Sequence, residues 1–194
     1  MHPAEVRVLG ALLEKDIATP EYYPLTVNSL QSACNQKSSR DPVVNYDENT
    51  VSQALELLKD KGFVTRITGA GHRVEKWAHR LGEKLNLGRR ELAILCVLML
   101  RGAQTVGELR GRTERMHDFA DMDEVERVLQ ALQEQGLTAP AGRGRWIQLF
   151  SGSAEEVAEP EAPRRSALEE RIAALEREVE ELKRQFEGFR RQFE

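Results

Sequence analysis

Residues 47–81 read DENTVSQALELLKDKGFVTRITGAGHRVEKWAHRL, and the fold turns on them. Val51, Ala54, Leu55 and Leu58 fall at the one-sided spacing of an amphipathic helix. Asp47, Asn49 and Thr50 are good capping types, which places the start of that helix among them. Gly62 follows Lys59, Asp60 and Lys61 as a C-terminal stop should, because glycine enters the left-handed conformation without a Cβ penalty. Residues 63–68, FVTRIT, predict a strand. Gly69-Ala70-Gly71 permits a tight turn, and residues 72–77 predict the returning strand, with Val74 and Trp77 as its apolar residues. A helix followed by a two-stranded ribbon with a glycine tip is the second half of a winged helix.

The same half recurs in residues 121–150, DMDEVERVLQALQEQGLTAPAGRGRWIQLF. Adding 74 carries Val51, Leu55, Leu58 and Gly62 onto Val125, Leu129, Leu132 and Gly136, and Phe63 onto Leu137. The second tip, Gly142-Arg143-Gly144, is tighter, and Trp146 stands where Trp77 stood. A repeat of this length is a domain duplication, too long for a solenoid unit.

Working outward, residues 3–15 predict a helix with Val6, Leu9, Leu12 and Leu13 on its apolar face and Pro3 in its first turn. Residues 16–24 read as a loop holding Tyr22 and Tyr23, and residues 25–34 as a second helix capped near Thr26 or Asn28. Pro42 forbids a helix in the following segment, where Val43 and Val44 are expected to form a short strand against the ribbon. Residues 81–88 read as a joining loop or strand end. Residues 89–101 predict a helix that is apolar nearly all round (Leu92, Ile94, Leu95, Leu98, Met99), hence buried on two sides, one of them against the first copy. Residues 104–109, QTVGEL, match LTVNSL at 25–30, so the second copy repeats helix, helix, helix and wing in order.

Residues 151–163 are rich in Glu, Ala, Ser and Pro and read as a flexible linker. After it, Leu168, Ile172, Leu175, Val179, Leu182, Phe186, Phe189 and Phe193 recur in alternating steps of four and three, the heptad of a coiled coil. Ile172 and Val179 take the a positions and Leu168, Leu175 and Leu182 the d positions, a pattern that favours a parallel dimer. The rival reading is a solitary helix folding back on the body. The expected fold is therefore α+β and mainly helical: two tandem winged-helix domains at 1–81 and 82–150, the linker 151–163, and a coiled-coil helix at 164–194.

The net charge is −4, and it lies wholly in the tail: residues 1–80 and 81–150 each carry 10 basic and 10 acidic side chains. Neutral winged domains count against avid nonspecific DNA binding. Cys34 and Cys96 sit among apolar neighbours, outside any C-x-x-C, and read as reduced core residues. Without a signal-peptide pattern, and with residues 92–100 as the longest apolar run, the expectation is a cytoplasmic protein with no membrane contact.

Glu14-Lys15, Thr19-Pro20-Glu21, Tyr23-Pro24-Leu25, Ala33-Cys34-Asn35-Gln36-Lys37-Ser38 and Arg40-Asp41-Pro42-Val43 resemble the YceH family of uncharacterised bacterial proteins, over roughly residues 3–150. The resemblance implies a tandem winged-helix fold and a similar C-terminal helix. It carries no established activity, substrate or site.

Catalysis is not expected, nor a cofactor or metal. His2, His72, His79 and His117 show no metal-ligand spacing and read as solvated surface residues. The glycines at 69–71 and 142–144 join strand to strand, so they lack the helix N-terminus that cradles phosphate. DNA binding is the default for the fold, by analogy. Its candidate residues are Asn49, Ser52, Gln53 and Lys59 on the first recognition-type helix, and Arg66, His72 and Arg73 on its wing. Arg143 and Arg145 belong to the second wing, and Lys37 and Arg40 to the polar loop NQKSSR. Asn and Gln can pair with base edges, and Lys and Arg with phosphates. In that loop Asn35 can instead cap a helix end, and Arg40 with Asp41 can tie down the turn. The acids Glu5, Glu14, Asp16 and Glu21 are placed on opposite or edge surfaces. The second helix, with Asp123, Glu124 and Glu126, is too acidic to suit DNA. The reading is a regulator-like protein that binds double-stranded DNA as a homodimer through Leu168, Ile172, Leu175, Val179, Leu182, Phe186 and Phe189. The alternative is a protein–protein scaffold without DNA contact, similar to chromosome-segregation accessory proteins, whose wings meet an unidentified protein partner.

Overall fold

The structure, a computed structural model, describes residues 1–67 and 74–152 together with Arg177 and Val179. Asp47 accepts the Thr50 N–H at 2.8 Å and opens helix α3 (Glu48–Asp60), which buries Val51, Ala54, Leu55 and Leu58. Gly62 closes it at φ +73°. Strand β1 (Val64–Ile67) then pairs antiparallel with β2 (Lys76–His79), Val64 opposite His79 and Ile67 opposite Lys76. The return strand therefore starts later than its apolar residues predict. Val74 lies before it and is 59% exposed, whereas Trp77 is buried. An odd spacing cannot put both residues on one face of a strand.

Helix α1 (Pro3–Ala18) runs three residues beyond its predicted end and is followed by a single 3-10 turn (Pro20–Tyr22). Thr26 caps α2 (Val27–Cys34), its hydroxyl accepting the Ser29 N–H. The strand expected at Val43 and Val44 is absent. Leu25 takes that edge instead, exchanging both backbone hydrogen bonds with Trp77. Segment 41–43 is drawn elsewhere: the Asp41 N–H donates to the Leu100 carbonyl, and Arg7 donates to the Pro42 carbonyl. The joining segment is a short helix, α4 (Leu81–Leu85), rather than a loop or strand end.

The second half repeats the order: α5 (Arg89–Arg101), β3 (Gln104–Thr105), α6 (Val106–Thr113), α7 (Met122–Glu134), β4 (Thr138–Ala141) and β5 (Arg145–Gln148). Its sheet runs β3-β5-β4. Trp146 faces Pro140 on one side and Gln104 on the other, just as Trp77 faces Arg66 and Leu25. These are the positions that the sequence matches relate. The architecture is mixed α+β and mainly helical.

The halves meet through α1 and α5. Ala93 to Leu100 are all buried, as the all-round apolar helix requires. Gly10 allows the close approach: a Cβ there would stand 3.0 Å from Met99 Cβ and 3.1 Å from Leu100 Cδ2. The Cys96 thiol donates to the Gly10 carbonyl at 3.6 Å. Phe63 meets Phe150 edge-on, with ring centroids 6.2 Å apart. One hydrophobic core thus includes α1, α3, α5 and α7, and Met1–Val157 form one compact unit. Ala158–Glu194 form a second unit. Within it Arg177 and Val179 are helical, and Val179 is 49% exposed. Leu168, Ile172, Leu175, Leu182, Phe186 and Phe189 lie outside the described residues. Among the described residues no helix is long and apolar enough to cross a membrane.

Candidate nucleic-acid interface

The polar loop after α2 divides into an inward and an outward part. Arg40 points inward with its side chain fully buried. Its two Nη atoms grip the Glu14 carboxylate at 3.0 and 2.6 Å, while Nε and Nη2 donate to the Ala33 carbonyl. Gln36 Oε1 and the Ser39 carbonyl accept the rest. Arg40 is therefore no phosphate contact: its donors are used and water cannot reach it. Glu14 is correspondingly no edge-surface acid. Asn35 does the tying expected of a structural residue, its side chain bonding both the N–H and the carbonyl of Tyr46. Arg7 lies beneath, donating to the Cys34 and Pro42 carbonyls. Burial first, and then the Arg40 charge, pull its pKa below the ordinary value. Lys37 and Ser38 face solvent.

On α3, Asn49 and Gln53 are exposed and Ser52 half-buried, and no side chain of the three hydrogen-bonds a described residue. Lys59 is tied to Glu56 at 2.6 Å, a contact that lowers the Glu56 pKa. Lys61 is tied to the buried Glu5, which also leaves the surface assigned to it. Arg66 pairs with Glu75 across the ribbon at 3.0 Å. His72 and Arg73 lie outside the described residues. Arg143 stands exposed at the second tip with φ +64°. Arg145 is held by Glu108 and the Ala103 carbonyl, both at 2.9 Å. Of the proposed cations described, Lys37 and Arg143 are the two that make no hydrogen bond or ion pair to a described residue.

Residue-type reasoning missed Arg112, which shares Glu108 with Arg145, and Arg101, whose charge acts on Arg112. Arg112 reaches the other Glu108 oxygen at 3.5 Å, and Arg101 donates to the Ser39 hydroxyl at 2.7 Å. The capping box Thr105-x-x-Glu108 was the available signal, since it orients Glu108 on the first turn of α6. It holds the Glu108 pKa below the usual carboxylate range, first through the Thr105 N–H and then, against some burial, through Arg145 and Arg112.

His79 is not the surface histidine its position implied. Its side chain is 8% exposed, with Nε2 3.0 Å from Asp16 and Nδ1 accepting the Leu81 N–H. The Tyr23 hydroxyl accepts its backbone N–H, and burial raises the Tyr23 pKa. His2 caps α1 instead of facing solvent alone. Burial likewise pushes the Cys34 thiol up to about 12 and the Cys96 thiol higher still, so both are protonated core residues. Among the described residues no group of three or more His, Cys, Asp or Glu is placed to hold a metal.

A family model described as "Protein of unknown function, DUF480" matches residues 1–141. A UPF0502 protein of Solibacter usitatus is 56% identical over 187 residues, covering 88% of this chain and 90% of its own. A UPF0502 protein of Citrifermentans bemidjiense is 52% identical over 180 residues, covering 87% and 83%, and one of Geotalea daltonii 49% over 175, covering 86% and 80%. The YceH resemblance of the loop residues is consistent with these matches, and the chain belongs to the DUF480, or UPF0502, family of uncharacterised bacterial proteins.

Proposed function

We propose that the two halves of residues 1–150 are tandem winged helices and that the protein is non-enzymatic, binding double-stranded DNA as a regulator-like homodimer paired through residues 164–194. The observation that carries DNA binding is the solvent side of α3. Asn49, Ser52 and Gln53 stand there with no side-chain hydrogen bond to a described residue, on the helix that precedes the ribbon. Amide side chains on such a helix can read adenine edges in a major groove. Lys37 and Arg143 supply uncommitted cations for phosphate. The cytoplasmic assignment follows from this role.

The scaffold reading has an observation of its own. Leu57, on α3, is 48% exposed, and Lys59 and Arg66 already have carboxylate partners. Such a surface suits a protein partner more than a polyanion. The deciding measurement is fluorescence anisotropy of the intact protein with random and varied duplexes at low and moderate salt. Gln53→Ala is expected to change preference among duplexes and Lys37→Ala to lower affinity evenly. No binding at low salt by the folded protein overturns the DNA reading and leaves the scaffold. Light scattering tests the dimer: the intact chain is expected to be dimeric and the chain lacking residues 164–194 monomeric. A monomeric intact chain overturns the coiled coil.

A further inference from the structure

The chain concentrates fixed positive charge at the seam between its two halves, where Arg101 and Arg112 join the wing residue Arg145. Arg101 ends α5, Arg112 lies on α6 and Arg145 opens β5. Glu108 gathers two of them: Oε2 takes Arg145 at 2.9 Å and Oε1 takes Arg112 at 3.5 Å. Arg101 is held from the other half by the Ser39 hydroxyl at 2.7 Å. Ser39 sits at φ +60°, a conformation unusual for a non-glycine residue, and Arg40 anchors the adjoining backbone from beneath.

The local charge is in excess. Arg40 and Glu14 neutralise each other. Asp41 acts on Arg101, and Glu108 on Arg112 and Arg145, so two carboxylates stand against these three guanidiniums, and Lys37 of the same loop is exposed. Asp41 makes no ion pair with Arg101, although it lies close enough to act on it. Burial, and next the Arg112 charge, lower the Arg101 pKa, which places the two guanidiniums within each other's field. The side chains of Arg112 and Arg145 are 33% and 37% exposed, so they are partly fixed yet reachable. A planar fork held in place loses little freedom on meeting a phosphate, which it can grip with two parallel N–H donors.

We propose that Arg101, Arg112 and Arg145 form a phosphate-binding site across the seam, with Ser39 as the positioning residue that aims Arg101, and that it takes a phosphodiester of a duplex backbone. As to source, the inference rests on the DNA reading; the chemistry of the site does not. Both halves contribute, so the site exists only while the halves are docked. Glu108 offsets part of the positive charge and repels an anion, so a ligand must draw on several guanidiniums at once, which the oxygens of a phosphate allow better than a single carboxylate.

The test uses the intact protein, a labelled random duplex and, separately, inorganic pyrophosphate followed by phosphorus NMR. The variants are R101Q/R112Q, the charge-retaining R101K/R112K, and R90Q as a control, since Arg90 pairs with Glu124 near the other end of α5. Among the described residues Arg101 and Arg112 bond only Ser39 and Glu108 through their side chains, and an unchanged urea midpoint checks that the fold survives. R101Q/R112Q is expected to lower the slope of log K against log salt by about 1.8, at roughly 0.9 per lost phosphate contact. R101K/R112K is expected to restore most of it, and R90Q to leave it unchanged. Duplex binding with the same slope in R101Q/R112Q overturns the site and leaves the DNA reading standing. Pyrophosphate line broadening lost in R101Q/R112Q, with no duplex binding by the natural chain, supports the site for a free phosphate ligand and overturns the DNA reading. Binding of neither probe overturns both.

Discussion

Arg40 shows how far a residue's type can mislead about its role. A guanidinium in a run of polar side chains invites a phosphate, yet its six hydrogen bonds all turn inward, to Glu14, Ala33, Gln36 and Ser39. Removing one partner of a buried pair leaves the other charge uncompensated. Arg40→Ala is therefore expected to destabilise the fold by about 3 kcal/mol in urea titrations, whereas Glu14→Gln, which still accepts from the guanidinium, should lose less. Under the surface-cation reading both changes would leave the midpoint unmoved. Glu5 has a pH signature. Burial raises its pKa, but the Lys61 ammonium and the His2 N–H outweigh burial and leave it below the ordinary value. A carboxylate with a depressed folded pKa stabilises above its unfolded value, and that contribution fades as pH falls through the folded one. The stability gap between the natural chain and Glu5→Gln should be full at pH 7 and shrink from about pH 4.5 downward. A gap constant to pH 3 would contradict this.

Among the elements, the two helix-to-ribbon turns test the duplication directly. Gly62 and Gly136 hold φ of +73° and +70° at equivalent places, each following its helix by one cap residue. A Cβ at Gly136 would meet nothing within 4 Å, so its substitution carries only the backbone penalty. Gly136→Ala is expected to cost about 1 kcal/mol. At Gly62 the Cβ would also stand 3.2 Å from Lys84 Nζ, which bonds the Lys61 carbonyl and lies 4.8 Å over the Phe63 ring. Gly62→Ala should therefore lose somewhat more than Gly136→Ala in the same denaturation series. Equal losses would mean that Lys84 swings away without penalty. The helix and stop signals at these elements were legible because they are local. The ribbon was legible in kind, but its return was misplaced by the Val74 reading, since nothing local says which of two odd-spaced apolar residues faces inward.

For the whole molecule, the α1–α5 contact decides how many cooperative units residues 1–150 contain. Gly10 sits against the Cβ of Met99, an atom the backbone holds in place. Gly10→Val is expected to destabilise by about 2 kcal/mol through overpacking and to shift a single unfolding transition. Two separated transitions in the natural chain would show that the halves are independent domains. By the same argument a fragment of residues 82–150 should lack cooperative unfolding, because it exposes the side of α5 that α1 covers. A sharp transition in the fragment would refute the shared core.

What the sequence determined by itself was local or periodic: the cap regions before α2 and α3, narrowed to Thr26 or Asn28 and to Asp47, Asn49 or Thr50, the faces of α3 and α7, the stops at Gly62 and Gly136, and the equivalence of Trp77 with Trp146. These depend on a residue's neighbours along the chain, and the same interactions repeat in both halves. Even the burial of α5 was written in its all-round apolarity. Tertiary structure alone decided which partners the charged side chains met. Arg40 found Glu14 at a separation of 26 residues, Lys61 found Glu5 at 56, and Arg101 found Ser39 at 62. A charge carries no periodicity and its range is set by distance in space, so a run of cations in sequence says nothing of which are neutralised and which remain to meet a partner.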